Sequence, residues 1–173
     1  MPVSLDLSHD LPFSPARYLE IFFDPDFADF VRARAQVSEY KVESLVRSET
    51  HVARTIKIVP KVDLPGWLRR VLGGDRIAYL ETMSHAIGSN RIEQVILSSV
   101  LTERIDIRST LTLEALPEGG CRRSARASIK VGIYAVGPRV EEQLLEIFRK
   151  GYAQGRDHMV EYDALAARRA AGA

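Results

Sequence analysis

Cysteine, histidine, tryptophan and excess charge are all scarce in this chain, and each scarcity closes a class of function. Cys121 is the only cysteine, so no intrachain disulfide staples the fold. Its neighbours Arg122 and Arg123 are expected to lower the thiol pKa. The four histidines, at positions 9, 51, 85 and 158, have no metal-ligand spacing, and neither HExxH nor CxxC occurs. No metal and no cofactor are expected. Ser8-His9-Asp10 has the residue types of a hydrolytic triad, but side chains adjacent on one chain do not reach the triad's geometry. A GxSxG elbow, a P-loop and a dinucleotide-binding glycine pattern are also missing. Lys and Arg number 24 against 23 Asp and Glu, so no global field draws in nucleic acid, and none is expected as a partner. No run approaches the roughly eighteen apolar residues of a membrane span. The start, MPVSLDLSHD, lacks the basic and apolar segments of a secretory signal, so a cytoplasmic protein is expected.

What the chain does have is size and pattern. Its 173 residues are 46% apolar, enough for one globular domain with a sizeable core and too few for two ordinary ones. The domain is placed at 1–164, with a flexible Ala/Arg tail at 165–173. Val3, Leu5 and Leu7 alternate with polar residues as a half-buried strand does. Ser14-Pro15 starts a helix, and Asp24-Pro25 interrupts it, so two short helices are predicted in series.

From Val37 to Tyr134 the apolar period is two. One run puts Tyr40, Val42 and Val46 on a shared face, and another puts Val52, Ile56 and Ile58 in phase with Arg54. Further strands are read at Ile77–His85, Arg91–Thr102 and Arg104–Glu114. Pro117-Glu118-Gly119-Gly120 turns into a final strand with Ala125, Ala127, Ile129, Val131 and Ile133 inward and Arg122, Arg126 and Lys130 outward. Pro138 to Ala164 reads as one amphipathic helix, ~40 Å long at ~1.5 Å per residue. Short turns imply antiparallel pairing. The expected class is α+β: a curved antiparallel sheet of about seven strands wrapped around a long C-terminal helix, with two short helices after strand 1.

This order of elements resembles the helix-grip fold of the START-like, or Bet v 1-like, superfamily, across roughly Val3 to Tyr162. The stretch Val62-Asp63-Leu64-Pro65-Gly66-Trp67-Leu68-Arg69-Arg70-Val71-Leu72-Gly73-Gly74, with Phe23-Asp24-Pro25-Asp26-Phe27, is similar to a bacterial START-like family and to sterol-binding VASt domains. The resemblance implies a tunnel between sheet and helix for a lipid, sterol or other hydrophobic molecule, and implies no reaction.

The residues argue for such a space independently. Ala125 and Ala127 on the sheet oppose Gly151 and Gly155 on the helix, and small residues on both walls leave either close packing or room. The predicted lining is Arg54, Ile56, Tyr79, Glu81, Met83, His85, Leu111, Ala125, Ala127, Phe148, Gly151, Tyr152 and Gly155. Inward Arg54 needs a carboxylate or a ligand's polar head.

Leu64, Trp67, Leu68, Arg69, Arg70, Val71 and Leu72 form an apolar short helix with an aromatic anchor and arginines, suited to a pocket lid or transient membrane contact. Around it Lys61, Arg69, Arg70 and Arg76 outnumber Asp63 and Asp75 by two (4 against 2). The outward arginines, with Arg104 and Arg108, suggest a basic stripe diluted by Asp106 and Glu114.

Three functions follow. The first is binding or transfer of a hydrophobic small molecule, without catalytic residues. The second is a cyclase, hydratase or isomerase using Glu81, His85 and Tyr79. The third is a protein-interaction module. The sequence leaves the oligomeric state open.

Overall fold

A computed structural model describes residues 3–61, 64–74, 76–100 and 103–172. Val62, Asp63, Asp75 and Thr102, which figured in the sequence expectations, lie outside the described residues.

The chain runs β1 (Val3–Leu11), α1 (Pro15–Phe22), α2 (Pro25–Arg34), β2 (Val37–Arg47), β3 (His51–Pro60), α3 (Gly66–Leu72), β4 (Tyr79–Ala86), β5 (Arg91–Ser98), β6 (Ile105–Ala115), β7 (Cys121–Val131) and α4 (Gly137–Ala171). The strands form one antiparallel sheet in the order β1-β7-β6-β5-β4-β3-β2. The caps explain why α1 and α2 are separate helices. Ser14 accepts from the Arg17 backbone N–H at 3.2 Å, and Asp24 accepts from the Asp26 N–H at 2.9 Å. Each cap precedes a proline at the first helical position, where the missing N–H removes no bond.

Two sequence expectations are corrected. The face assigned to Tyr40, Val42 and Val46 breaks at a bulge between Val42 and Ser44. The extra residue reverses the alternation, so Leu45 packs inward while Val46 is 60% exposed. The last strand stops at Val131, so Ile133 reaches the core from the turn before α4. That helix is also longer than predicted. It continues to Ala171, with Leu165 and Ala166 half-buried in the segment read as a tail.

The start of α4 lies against the end of β7. A Cβ at Gly137 would stand 2.7 Å from the Val131 carbonyl oxygen, which only glycine tolerates. The buried Glu141 carboxylate then accepts the Val131 N–H at 2.8 Å, so the helix caps the strand it leaves. From there α4 crosses β7 and β1, while α1 packs on β6 and α2 on β2.

The core falls into two clusters. One gathers Phe13, Tyr18, Ile21, Phe22, Phe23, Phe27, Val52, Ile56, Ile92, Leu111 and Met159 beneath α1 and α2. The other joins Leu64, Leu68 and Leu72 of the α3 segment to Ile105, Ile107, Ile129, Val131 and Val140.

Candidate functional site

Strand register places the inward side chains in rows across the sheet. One row runs Arg54, Met83, Gln94, Ser109 and Ala127 to Leu5. The next runs Ile56, Glu81, Ile96, Ile107 and Ile129 to Val3. The middle of the first row is polar or small, and it separates the two apolar clusters. Most inward side chains here are buried, yet Tyr79, Glu81 and Ile96 keep accessible surface, as do Tyr40 and Val42 on β2. These partly accessible residues lie on β2–β5, the part of the concave face away from the β7 and β1 that α4 crosses.

Arg54 is 3% exposed. One Nη donates to the Phe22 carbonyl, the other sits 4.0 Å from the Met83 sulfur, and Nε has no partner. The guanidinium also lies over the Phe22 ring at 4.9 Å, so rings and a carbonyl surround a cation that no carboxylate among the described residues contacts. Beside it, burial pushes the Glu81 carboxyl up from its ordinary range, against the pull of Arg54 and a hydrogen bond with Gln94. Gln94 accepts in turn from the Ser109 hydroxyl. Burial likewise pushes the Tyr40 phenol up to about 12 and raises that of Tyr79. His85 is buried, and its Nδ1 donates to the Arg91 carbonyl at 2.9 Å. That bond ties the β4–β5 hairpin together.

The room expected opposite Gly155 is taken by the protein itself. Arg123, on the inward phase of β7 and 3% exposed, was not singled out by sequence. Its position between Cys121 and Ala125 in the alternating strand was the available signal. Its Nη1 stands 4.0 Å from where a Gly155 Cβ would be. Nη2 donates to the Tyr152 carbonyl at 2.8 Å, and the Tyr152 hydroxyl donates back to the Arg123 carbonyl at 3.2 Å. The guanidinium stacks on the Tyr152 ring at 3.8 Å. Glycine here makes space for a clamp between α4 and β7.

Gly151 lies exposed on the helix flank, with nothing within 4 Å of a built Cβ. Ala125, Ala127 and Leu111 are buried, Tyr152 is 9% exposed and Phe148 is half-buried. Cys121 is buried too, and burial raises its thiol pKa, overriding the Arg123 effect expected to lower it. Two grooves, of about 460 and 570 Å³, lie elsewhere. One is between α2 and the end of α4, beside Phe30 and Tyr162, and the other is on the outer sheet face.

The α3 segment closes the opposite end of the molecule. Leu64, Leu68 and Leu72 are buried, Trp67 and Val71 half-buried, and Arg69 and Arg70 exposed. The Arg139 guanidinium of α4 covers the Trp67 ring at 4.2 Å. On the outer face, three arginines of the expected basic stripe are ion-paired, two of them across strands. Arg122 meets Asp10 at 2.8 Å and Arg126 meets Asp6 at 2.9 Å, while Arg108 meets Asp106 at 3.0 Å. No described helix is long and apolar enough to cross a membrane.

Comparison with known proteins gives the fold its place. The crystal structure of Ara h 8.0201 superposes with a TM-score of 0.61 at 15% identity, over 96% of this chain and 99% of that one. The Zhui aromatase/cyclase from Streptomyces sp. R1128 gives 0.63 at 7% identity, over 94% and 93%. A START superfamily protein from Mycobacterium smegmatis gives 0.59 at 10% identity, over 92% and 97%. These likenesses establish the helix-grip, START-like fold. No curated protein sequence matches the chain. One family model, described as "Protein of unknown function (DUF2505)", matches residues 6–162.

Proposed function

The chain belongs to the DUF2505 family, and from its fold and its inner face we propose that it encloses a hydrophobic small molecule between the concave sheet and α4. The observation that carries the proposal is the set of inward-facing side chains that stay partly accessible: Tyr40, Val42, Tyr79, Glu81 and Ile96. Tyr40, Val42 and Tyr79 border one apolar cluster and Ile96 the other, with Glu81 on the same face. Arg54, Ile56, Met83, Leu111 and Ala127 back this face from buried positions, as do His85 and Ala125; on α4, Phe148 is half-buried, Tyr152 and Gly155 belong to the Arg123 clamp, and Gly151 is exposed. Enclosure works by removing the guest's apolar surface from water, at ~25 cal/mol per Å².

The gate of this proposal is α3. Its apolar underside seals one end, and Gly73 ends the helix in the left-handed conformation at φ 77°. Leu64, Trp67, Leu68, Val71 and Leu72 pack on the core when it is closed. When it opens, the same residues with Arg69 and Arg70 meet a membrane surface transiently.

Solvent extraction of protein purified without added ligand, followed by mass spectrometry, tests the proposal. A hydrophobic compound in stoichiometric amount is expected. Protein that carries none and that binds neither sterols nor fatty acids in titration overturns it.

A second reading has its own observation. A desolvated carboxyl with a raised pKa, beside two phenols and a guanidinium, is the equipment of general acid–base chemistry. Glu81 would transfer the proton and Tyr79 would position the substrate. A cyclase or isomerase activity that survives Glu81→Gln rules this out.

A further inference from the structure

The interior holds two buried guanidinium groups, those of Arg54 and Arg123, and among the described residues no carboxylate lies within ion-pair distance of either. Each leaves its Nε without a partner, and both cations act on the buried Tyr18 hydroxyl. A buried cation lacking a counter-ion costs stability unless something offsets it. Arg123 is committed to its clamp with Tyr152. Arg54 is different. It stands one row from the partly accessible Glu81, and its bonds to a single carbonyl and a sulfur leave several N–H donors unspent.

We propose that the enclosed molecule is an amphipathic anion, whose carboxylate or similarly charged oxoanion docks on the Arg54 guanidinium while its apolar body lies against the partly accessible Tyr79 and Ile96. This rests on the enclosure reading above and names the chemical class of the guest. Arg54 has the fork of donors that an oxoanion accepts from in pairs. Glu81, on the neighbouring row of the inner face, hydrogen-bonds Gln94, and burial raises its pKa against the pull of Arg54. It makes no ion pair with Arg54, whose remaining donors stay open to a ligand. The other groups facing this point, Tyr40, Tyr79, Gln94 and Ser109, are uncharged at neutral pH.

The test compares decanoate with decanol by calorimetric titration of the full chain at neutral pH, with decyl phosphate as a second anion. Decanoate is expected to bind about ten- to hundredfold more tightly than decanol, the range of a charge-assisted hydrogen bond. Arg54→Met is expected to retain decanol binding and lose that preference. Met fills similar volume and removes the buried charge, so the variant should fold. Arg54→Lys, which keeps the charge and loses the fork, serves if it does not, and is expected to keep part of the preference. Decyl phosphate binding with decanoate excluded identifies the head as a phosphate and keeps the proposal. Equal binding of decanol and both anions to the unmodified protein overturns the anionic head while leaving enclosure intact. A preference undiminished in both variants overturns the role of Arg54. Failure of all three probes to bind counts against enclosure itself.

Discussion

Glu81 makes the interior pH-sensitive, and the sign follows from its surroundings. Its carboxyl pKa is raised in the folded protein, chiefly by burial, so the folded state holds this proton more tightly than the unfolded chain does. The contribution is fully present below the ordinary carboxylate range, about pH 4.3, and is lost as pH rises through the raised value. Urea midpoints measured across that window should therefore fall in the native chain relative to Glu81→Gln, which stays neutral throughout. Parallel curves for the two proteins would show that the carboxyl is not desolvated. At the clamp, Tyr152→Phe removes the hydroxyl bond to the Arg123 carbonyl and should lower stability by about 1 kcal/mol in urea denaturation. Ile56, fully buried in the larger core cluster, should cost about 2–5 kcal/mol when cut to alanine. What the sequence disclosed at this scale was uneven. Inward Arg54 was legible from strand phase alone. Arg123 escaped because the inward row was read only from Ala125 onward, although Arg123 shares its phase.

Secondary-structure elements were more legible than their side chains. Ser14-Pro15 and Asp24-Pro25 marked two helix starts, because cap and proline act through local backbone geometry. Alternation located the strands for the same reason. The β2 bulge was invisible, since an extra residue is fixed by pairing with β3 and by nothing in β2 itself. The small residues on α4 and β7 left two outcomes open, close packing or room, and at Gly155 the first holds. Glycine on a helix face signals that something comes close, and at Gly155 that something is a guanidinium from the sheet. For α3, Gly73 and Gly74 offer a paired experiment. Gly73→Ala puts a side chain on the left-handed cap and should destabilise by about 1–2 kcal/mol. Gly74→Ala, with no atom within 4 Å of the new Cβ and no positive φ, should not. Thermal unfolding and amide exchange over Gly66–Leu72 measure the difference; equal effects would mean that Gly73 is not what terminates the gate helix.

For the whole molecule, the order of elements was enough to give the topology, because seven strands with short turns and one long amphipathic helix have few ways to bury their apolar faces together. The interior was only partly readable. It combines a clamp over β7, two apolar clusters and a wall of polar and half-accessible residues on β2–β5 that borders both, an arrangement that depends on cross-strand register. The proposal of an enclosed guest stands on that wall. Amide and methyl chemical-shift mapping of the full chain during a decanoate titration tests it most directly. Shifts confined to the inner face, around Tyr79, Glu81, Ile96 and Phe148, with α3 responding, are the predicted result. Shifts clustered in the outer groove near Thr110 and Arg126, or no saturable shifts, contradict it.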